Sequence, residues 1–436
     1  MMSGELIGVI CIAVALLMIL LRLSIGLSLI IVSFLGFIWI ANFKAAMSMI
    51  AAVPFAFVGD WNLSAIPMFL FMGYVASGTG LTTGLFRAAR LLLSRLPGGL
   101  AVSSVGASGL FAAASGSSIA TSAAMAKIAT PEMLKHGYHP GLATGVIAAG
   151  GTLGSMIPPS ILLLLYGYYA EVSIGQLFVA GIIPGILTMA FYSAMIIIRC
   201  KLNPTLAPPV RDHPKLSDIF AALRDVWPLP VLIMSVMVGI FLGVFTPTQA
   251  GSIGALVACL IAAARGTMTF RALRGAIEET LHGTAGIFLI LIGTTMLTNF
   301  LALSGLPTSI SEGVLESGLG TYTLLISIAI VYIFLGMFVD SIGLMLLTLP
   351  VIMPLADAYG IDLIWLGIII VKLLEIGLMT PPVGLNVYVI SGAVGNAVSL
   401  NIIFRGVAWF IVTDLICLSV IIAFPALATF LPQFVM

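Results

Sequence analysis

Gly154-Ser155-Met156-Ile157-Pro158-Pro159 and Gly377-Leu378-Met379-Thr380-Pro381-Pro382 are one break written twice, at an offset of 223 residues. The offset holds backwards along the chain, pairing Gly137 with Gly360, Pro131 with Pro354, Ile119 with Ile342 and Ser118 with Ser341. Gly, Pro and Ser punctuation thus recurs in register, which is an internal repeat. Proline has no N–H and its ring pushes away the carbonyl four residues earlier, so Pro158 is expected to free the carbonyl of Gly154 and Pro381 that of Gly377. Apolar segments interrupted by Gly and Pro at matching places in two halves point to the binding region of a secondary transporter.

The breaks lie in a membrane chain. Hydrophobic residues fill 61% of 436 positions and charged ones 8%, with a mean hydropathy of +1.23, which no soluble domain carries on its surface. In lipid every backbone polar group needs an internal partner, so the apolar runs must be helical and the expected fold is an all-α polytopic membrane protein. Lys+Arg 17 against Asp+Glu 16 gives a net charge of +1, leaving no basic face for nucleic acid. Cys11, Cys200, Cys259 and Cys417 are far apart and lack metal-ligand spacing, so they read as packing residues. Glu5 stands where a signal peptide is basic, and the first apolar run has no small-residue cleavage site; it reads as a retained helix.

Spans are expected at 4–21, 24–41 and 64–80, with an interfacial stretch at 45–58. Residues 81–97, with Arg87, Arg90 and Arg95, read as an amphipathic surface helix. Residues 98–137 are rich in Gly, Ala and Ser around Ser115-Gly116-Ser117-Ser118, and each flank is too short to cross, which predicts a re-entrant hairpin. A broken span at 139–169 and a helix at 175–198 complete the first repeat. The polar stretch 199–226, with Pro204, Pro208, Pro209 and Pro214, is the expected cytoplasmic linker. Spans at 227–245 and 249–264 lead to a basic segment with Arg265, Arg271 and Arg274. The second repeat then has a span at 281–303, an arm at 306–320, a hairpin at 321–359 tipped by Phe338-Val339-Asp340-Ser341, a span at 362–395 broken at Pro381-Pro382, and a last helix at 406–430. The chain divides accordingly into 1–63 (scaffold), 64–198 (first repeat), 199–226 (linker), 227–280 (scaffold and arm) and 281–436 (second repeat). The Arg- and Lys-bearing connections fall on one side, which the positive-inside rule makes cytoplasmic; the two repeats are then inverted, and both chain ends face the exterior.

Glu375-Ile376-Gly377-x-x-Thr380-Pro381-Pro382-Val383-Gly384-Leu385-Asn386, the Ser-Gly-Ser-Ser tip and Gly336-x-x-x-Asp340-Ser341 resemble the large membrane subunit (DctM-like, the M subunit) of tripartite ATP-independent periplasmic (TRAP) transporters. The resemblance runs over nearly the whole chain. It implies an elevator-type secondary transporter of the bacterial inner membrane that uses sodium as coupling ion and no other cofactor. It also implies two partners, a small four-helix membrane subunit (DctQ-like) and a soluble periplasmic binding protein (DctP-like) that delivers an organic acid.

Freed carbonyls at a broken helix suit a sodium ion. By this argument and the resemblance, one cation site uses Ser115, Ser118, Gly154, Ile157 and Pro158, and the other Phe338, Ser341, Gly377, Thr380 and Val383, mostly through main-chain oxygens. The residues alone leave protons open as coupling ions. Substrate is expected between the tips, where helix N-termini favour a carboxylate, with Ser117, Asp340 and Asn386 as polar contacts. Asp340, an acid facing an anion, has three open roles: holding the tip, tuning the cation or contacting substrate hydroxyls.

Lys372 and Glu375 share one helical face inside a span, either as functional groups or as a neutralising pair that fixes the helix. Asp414 reads as a scaffold or subunit contact. Gly106-Ala107-Ser108-Gly109 matches the short pattern of intramembrane serine proteases, but His136, His139 and His213 are expected in loops and His282 at a helix end, which leaves Ser108 without a base. The other alternative is a self-sufficient dicarboxylate symporter that needs no partner.

Overall fold

A computed structural model describes residues 3–81, 84–208 and 216–434, which form twenty-one α-helices and no strand. The N-terminal helices are α1 Gly4–Leu20, α2 Ile25–Ile40, α3 Phe43–Val58 and α4 Ala65–Gly78, followed by the short α5 Gly84–Leu93. The first hairpin is α6 Gly99–Ser115 and α7 Ser118–Lys135; the first broken span is α8 Pro140–Met156 and α9 Ile161–Tyr169; α10 Ile174–Leu202 closes the repeat. Then come α11 Leu216–Val226, α12 Pro228–Phe241, α13 Pro247–Ala264, α14 Phe270–Ser304 and α15 Leu306–Glu316. The second hairpin is α16 Thr321–Gly336 and α17 Ser341–Ala358, the second broken span α18 Leu363–Met379 and α19 Leu385–Val394, and the chain ends with α20 Leu400–Ala423 and α21 Ala426–Thr429.

Matching local chemistry starts and stops the two broken spans. His139 Nδ1 accepts the Gly141 N–H at 3.1 Å to open α8, and Asp362 Oδ1 accepts the Trp365 N–H at 2.8 Å to open α18. α8 ends in extended Ile157 (ψ 123°) and α18 in extended Thr380 (ψ 132°), each before a cis Pro-Pro bond. The residue before proline is driven out of the helical region, so the same sequence gives the same break twice.

The helices sort into two bodies. α1, α2, α3, α4, α12, α13 and α14 pack on one another, whereas α6 to α10 and α16 to α20 interlock around α8 and α18. In the span 140–169, 94% of the apolar window is buried, against 44% for α14, so α8 is walled by protein while α14 retains a lipid-facing side. Among the described residues six helical spans, α8 and α9 counted as one, are long and apolar enough to cross a membrane, or eight when the two bent pairs are each one span.

Three stretches differ from the sequence reading. The basic segment and the next span are one 35-residue helix, α14, which at 1.5 Å per residue reaches about 50 Å and carries Arg271 and Arg274 beyond a hydrocarbon core of about 30 Å. The linker begins later than residue 199, because α10 runs to Leu202, and it contains α11, which packs on α5; Pro209, His213 and Pro214 lie outside the described residues. The last helix starts at Leu400 and stops at Ala423 before Pro425.

α8 and α20 touch backbone to backbone. A Cβ at Gly406 would lie 1.9 Å from the Gly141 carbonyl oxygen, and one at Gly145 2.7 Å from the Gly406 carbonyl carbon. Small residues that allow such approach drive helix association where no hydrophobic effect operates. Gly406→Ala is therefore expected to destabilise the chain by about 1–3 kcal/mol, the usual cost of overpacking, seen as a lower unfolding temperature in detergent. An unchanged midpoint would show that the helices separate freely.

Candidate functional site

The first tip is clasped onto the first break. Gly116 ends α6 at φ +59°, and a Cβ there would lie 2.8 Å from the Pro159 carbonyl oxygen. Only glycine combines that dihedral with that approach. Across the same contact, a Cβ on Gly154 would lie 2.6 Å from the Ser117 carbonyl oxygen and 2.9 Å from the Ser118 nitrogen. Gly116 therefore meets Pro159, and Gly154 meets Ser117 and Ser118. The Ile157 N–H bonds to Leu153 at 2.9 Å, and Pro158 has none to offer, so the helix supplies no i+4 donor to the Gly154 carbonyl.

Hydroxyls crowd the tip. Ser115 Oγ lies 2.9 Å from Thr121 Oγ1, and Thr121 donates to the Ser117 carbonyl at 2.8 Å. Ser117 caps α7, its Oγ accepting the Ala120 N–H at 3.4 Å. Thr121 was missed in the sequence. Its signal is position: one turn after Ser117, it faces back to the tip.

The second break is built differently. A Cβ on Gly377 would lie 2.9 Å from Cα of Gly336, two residues before Phe338, so here the end of α16 meets the break. The expectation that Pro381 frees the Gly377 carbonyl is corrected: the Thr380 N–H donates to it at 3.1 Å, tightening the last turn. Thr380 Oγ1 donates to the Ile376 carbonyl at 2.6 Å. The Phe338 ring is 41% exposed and meets Phe334 edge-on at 5.7 Å, so only its main chain is available inward. Val383 lies in the connector between α18 and α19, and Ser341 is buried at the start of α17.

A small cavity of about 100 Å³ lies between the tips, lined by Ser117, Ser118, Ser155, Asp340, Ser341 and Leu378 among others. Asp340 caps α17, its Oδ2 accepting the Gly343 N–H at 3.1 Å. Asn386 is fully buried; its Nδ2 donates to Ser118 Oγ at 2.8 Å and to the Ala148 carbonyl at 3.3 Å, so it ties the second broken helix to the first repeat. A larger cavity of about 390 Å³ runs between α4 and the first hairpin, from Ser115 and Ser117 to exposed Lys127. At the other end of the broken span, Tyr168 donates to Asp60 Oδ2 at 2.7 Å and Tyr169 meets Thr298 Oγ1 at 2.5 Å, joining α9 to the scaffold body.

Lys372 and Glu375 face protein, not lipid, and Asp414 joins them. Lys372 Nζ lies 3.0 Å from Glu375 Oε2 and 2.6 Å from Asp414 Oδ1, and all three side chains are fully buried. Lys372 also donates to Thr188 Oγ1 at 3.1 Å, and the Tyr192 hydroxyl to Asp414 Oδ2 at 2.6 Å. The cluster binds α18 to α10 and α20. Ser108 is buried with no hydrogen-bond partner, and the described histidines bond elsewhere: His136 to Glu132, His139 to Gly141 and His282 to Glu278. No base is hydrogen-bonded to Ser108 among the described residues.

Residues 12–427 match the family model for the DctM component of tripartite ATP-independent periplasmic transporters. The chain is 33% identical over 436 residues to the C4-dicarboxylate TRAP transporter large permease protein DctM of Vibrio cholerae, covering 95% of this chain and 94% of that one. It is 31% identical over 416 residues to the sialic acid TRAP transporter large permease protein SiaM of the same organism, covering 94% and 95%. Among solved structures, the Alcanivorax borkumensis YdaH transporter superposes with a TM-score of 0.63 at 15% identity, covering 88% of this chain and 89% of that one. Neisseria gonorrhoeae MtrF does so at 0.60 and 14%, covering 88% and 84%. At such identity these two likenesses concern the fold alone.

Proposed function

Since the chain belongs to the DctM family of tripartite ATP-independent periplasmic transporters, we propose that it is the ion-coupled subunit through which an organic acid enters the cell with sodium. The acid is handed over by a separate periplasmic binding protein, and a small membrane subunit completes the complex in the inner membrane. The observation that carries this reading is the pair of hairpin tips set against two proline breaks around a shared cavity. Sodium occupies the first site through Ser115, Ser118 and the carbonyls of Gly154, Ile157 and Pro158, and the second through Thr380, Ser341 and the main chain at Phe338, Gly377 and Val383.

Relatives named for C4-dicarboxylate and for sialic acid both take carboxylates. The N-terminus of α17 is already satisfied by the carboxylate of Asp340, so the substrate carboxylate belongs at the N-terminus of α7, with Ser117. Asp340 then holds its own tip, and the amide nitrogen of Asn386 ties the repeats together while its Oδ1 has no hydrogen-bond partner. Transport follows from movement of the hairpin body against the scaffold body. The larger cavity ends at Lys127 on the side that positive-inside makes cytoplasmic, which is the exit of an inward-facing state.

Two results are expected. Ser118→Ala and Thr380→Ala each raise the sodium concentration needed for half-maximal uptake, by roughly tenfold if one ligand contributes about 1.4 kcal/mol; unchanged sodium titrations in both variants would sink the proposed sites. Lys127, the one charged residue lining the larger cavity among the described residues, attracts the departing anion. Lys127→Gln is expected to raise the half-saturating internal substrate concentration in counterflow up to roughly fivefold, about 1 kcal/mol for an exposed charge pair. An unaltered value would place the exit elsewhere.

A further inference from the structure

The buried cluster holds one base and two acids. Lys372 is the only buried base among the described residues, while Glu375 and Asp414 are both fully buried. Two carboxylates on one ammonium would leave a net negative charge in the interior, which burial strongly disfavours. The elements packed around the cluster do not repair this. α10 offers Tyr192 and Thr188, and α20 offers Cys417, whose Sγ lies 3.5 Å from Thr188 Oγ1; α8 offers Thr152, beside Tyr192. None is a cation. Arg199, further along α10, is occupied over the Trp409 ring at 4.4 Å.

The two acids are not equivalent. Asp414 Oδ1 forms an ion pair with the ammonium at 2.6 Å, without a hydrogen bond, and Oδ2 accepts the Tyr192 hydroxyl at 2.6 Å. Glu375 receives the ammonium only through Oε2 at 3.0 Å, and its Oε1 is buried with no partner. Donors favour the charged form of the acid they reach. A bare carboxylate oxygen in the interior is far costlier than a neutral hydroxyl there. We infer that this cluster is a proton-binding site in which Lys372 and Asp414 form the ion pair and Glu375 holds the proton. A metal cation at Oε1 would need several further oxygens, whereas a proton needs one.

Glu375 is the only buried glutamate among the described residues, and every glutamate of the chain is described. Isotopic labelling of glutamate is therefore nearly residue-specific. Infrared spectra of the full chain in lipid at neutral pH, with and without ¹³C in the glutamate side-chain carboxyl, read the carboxylic-acid C=O stretch. An acid band that shifts with the label, persists in sodium and disappears in Glu375→Gln is expected. A band that does not shift, such as one from Asp340, or no band at all, would overturn the inference. So would a labelled band lost on adding sodium, since a metal cation would then take the place of the proton. The labelling result stands even if the glutamine variant does not fold, and it does not depend on the transport reading above.

Discussion

Lys372→Met leaves little or no folded protein. The substitution keeps most of the length of the side chain and removes the charge that holds Asp414 and Glu375, both fully buried. Removing one partner of a buried ion pair costs about 3–5 kcal/mol because the other is left uncompensated, a large fraction of a typical total stability of about 5–15 kcal/mol. α18 then loses its ties to α10 and α20, and with them the position of the second break. Size-exclusion chromatography of the detergent extract should show a monodisperse peak for the wild type and aggregate for the variant. Lys372→Met combined with Asp414→Asn should recover much of the peak, since the unpaired charge is gone. Wild-type behaviour of the single variant would mean that the cluster does not hold the helices.

Gly154→Ala should abolish transport while leaving a folded chain. The added carbon has to enter space already filled by the Ser117 carbonyl group, 2.6 Å away; the atoms it meets are main chain, and a Cβ is fixed to its own backbone. Neither can rotate aside as a side chain does, so the tip must lift from the break. Overpacking of this kind costs about 1–3 kcal/mol, which is survivable in the fold and falls wholly on the contact where the first sodium site is proposed. Uptake at least tenfold below wild type is expected, with no gain at high sodium. Gly106→Ala is the control, because a Cβ there meets nothing within 4 Å and uptake should be kept. Normal sodium-dependent uptake in Gly154→Ala would separate the tip-and-break contact from ion coupling.

The repeat could be read because proline and glycine act locally: Pro158-Pro159 and Pro381-Pro382 break their helices whatever surrounds them. What the sequence left hidden depends on packing between distant elements. Asp414 lies in the last long helix, with no spacing that ties it to Lys372, and only the crossing of α18 and α20 brings their side chains to 2.6 Å. Asn386 stands just past the second break, but that its amide nitrogen reaches Ser118 and Ala148 of the other repeat while its Oδ1 stays without a hydrogen-bond partner shows only in the packing. Arg271 and Arg274 read as a basic segment separate from the span at 281–303, yet a helix that emerges from the membrane carries charge without stopping. The Thr380 N–H closing on Gly377 was invisible because proline chemistry predicts which donor is missing, not which neighbour replaces it.

We propose that this chain imports an organic acid with sodium only as part of a three-component system. The most direct test is uptake into proteoliposomes holding the chain and its small membrane subunit, under an inward sodium gradient, with and without the soluble binding protein. Uptake that requires both the gradient and the soluble protein is expected. Full-rate uptake without the soluble protein would contradict it and make the chain a self-sufficient symporter whose selectivity resides between Ser117 and Asp340.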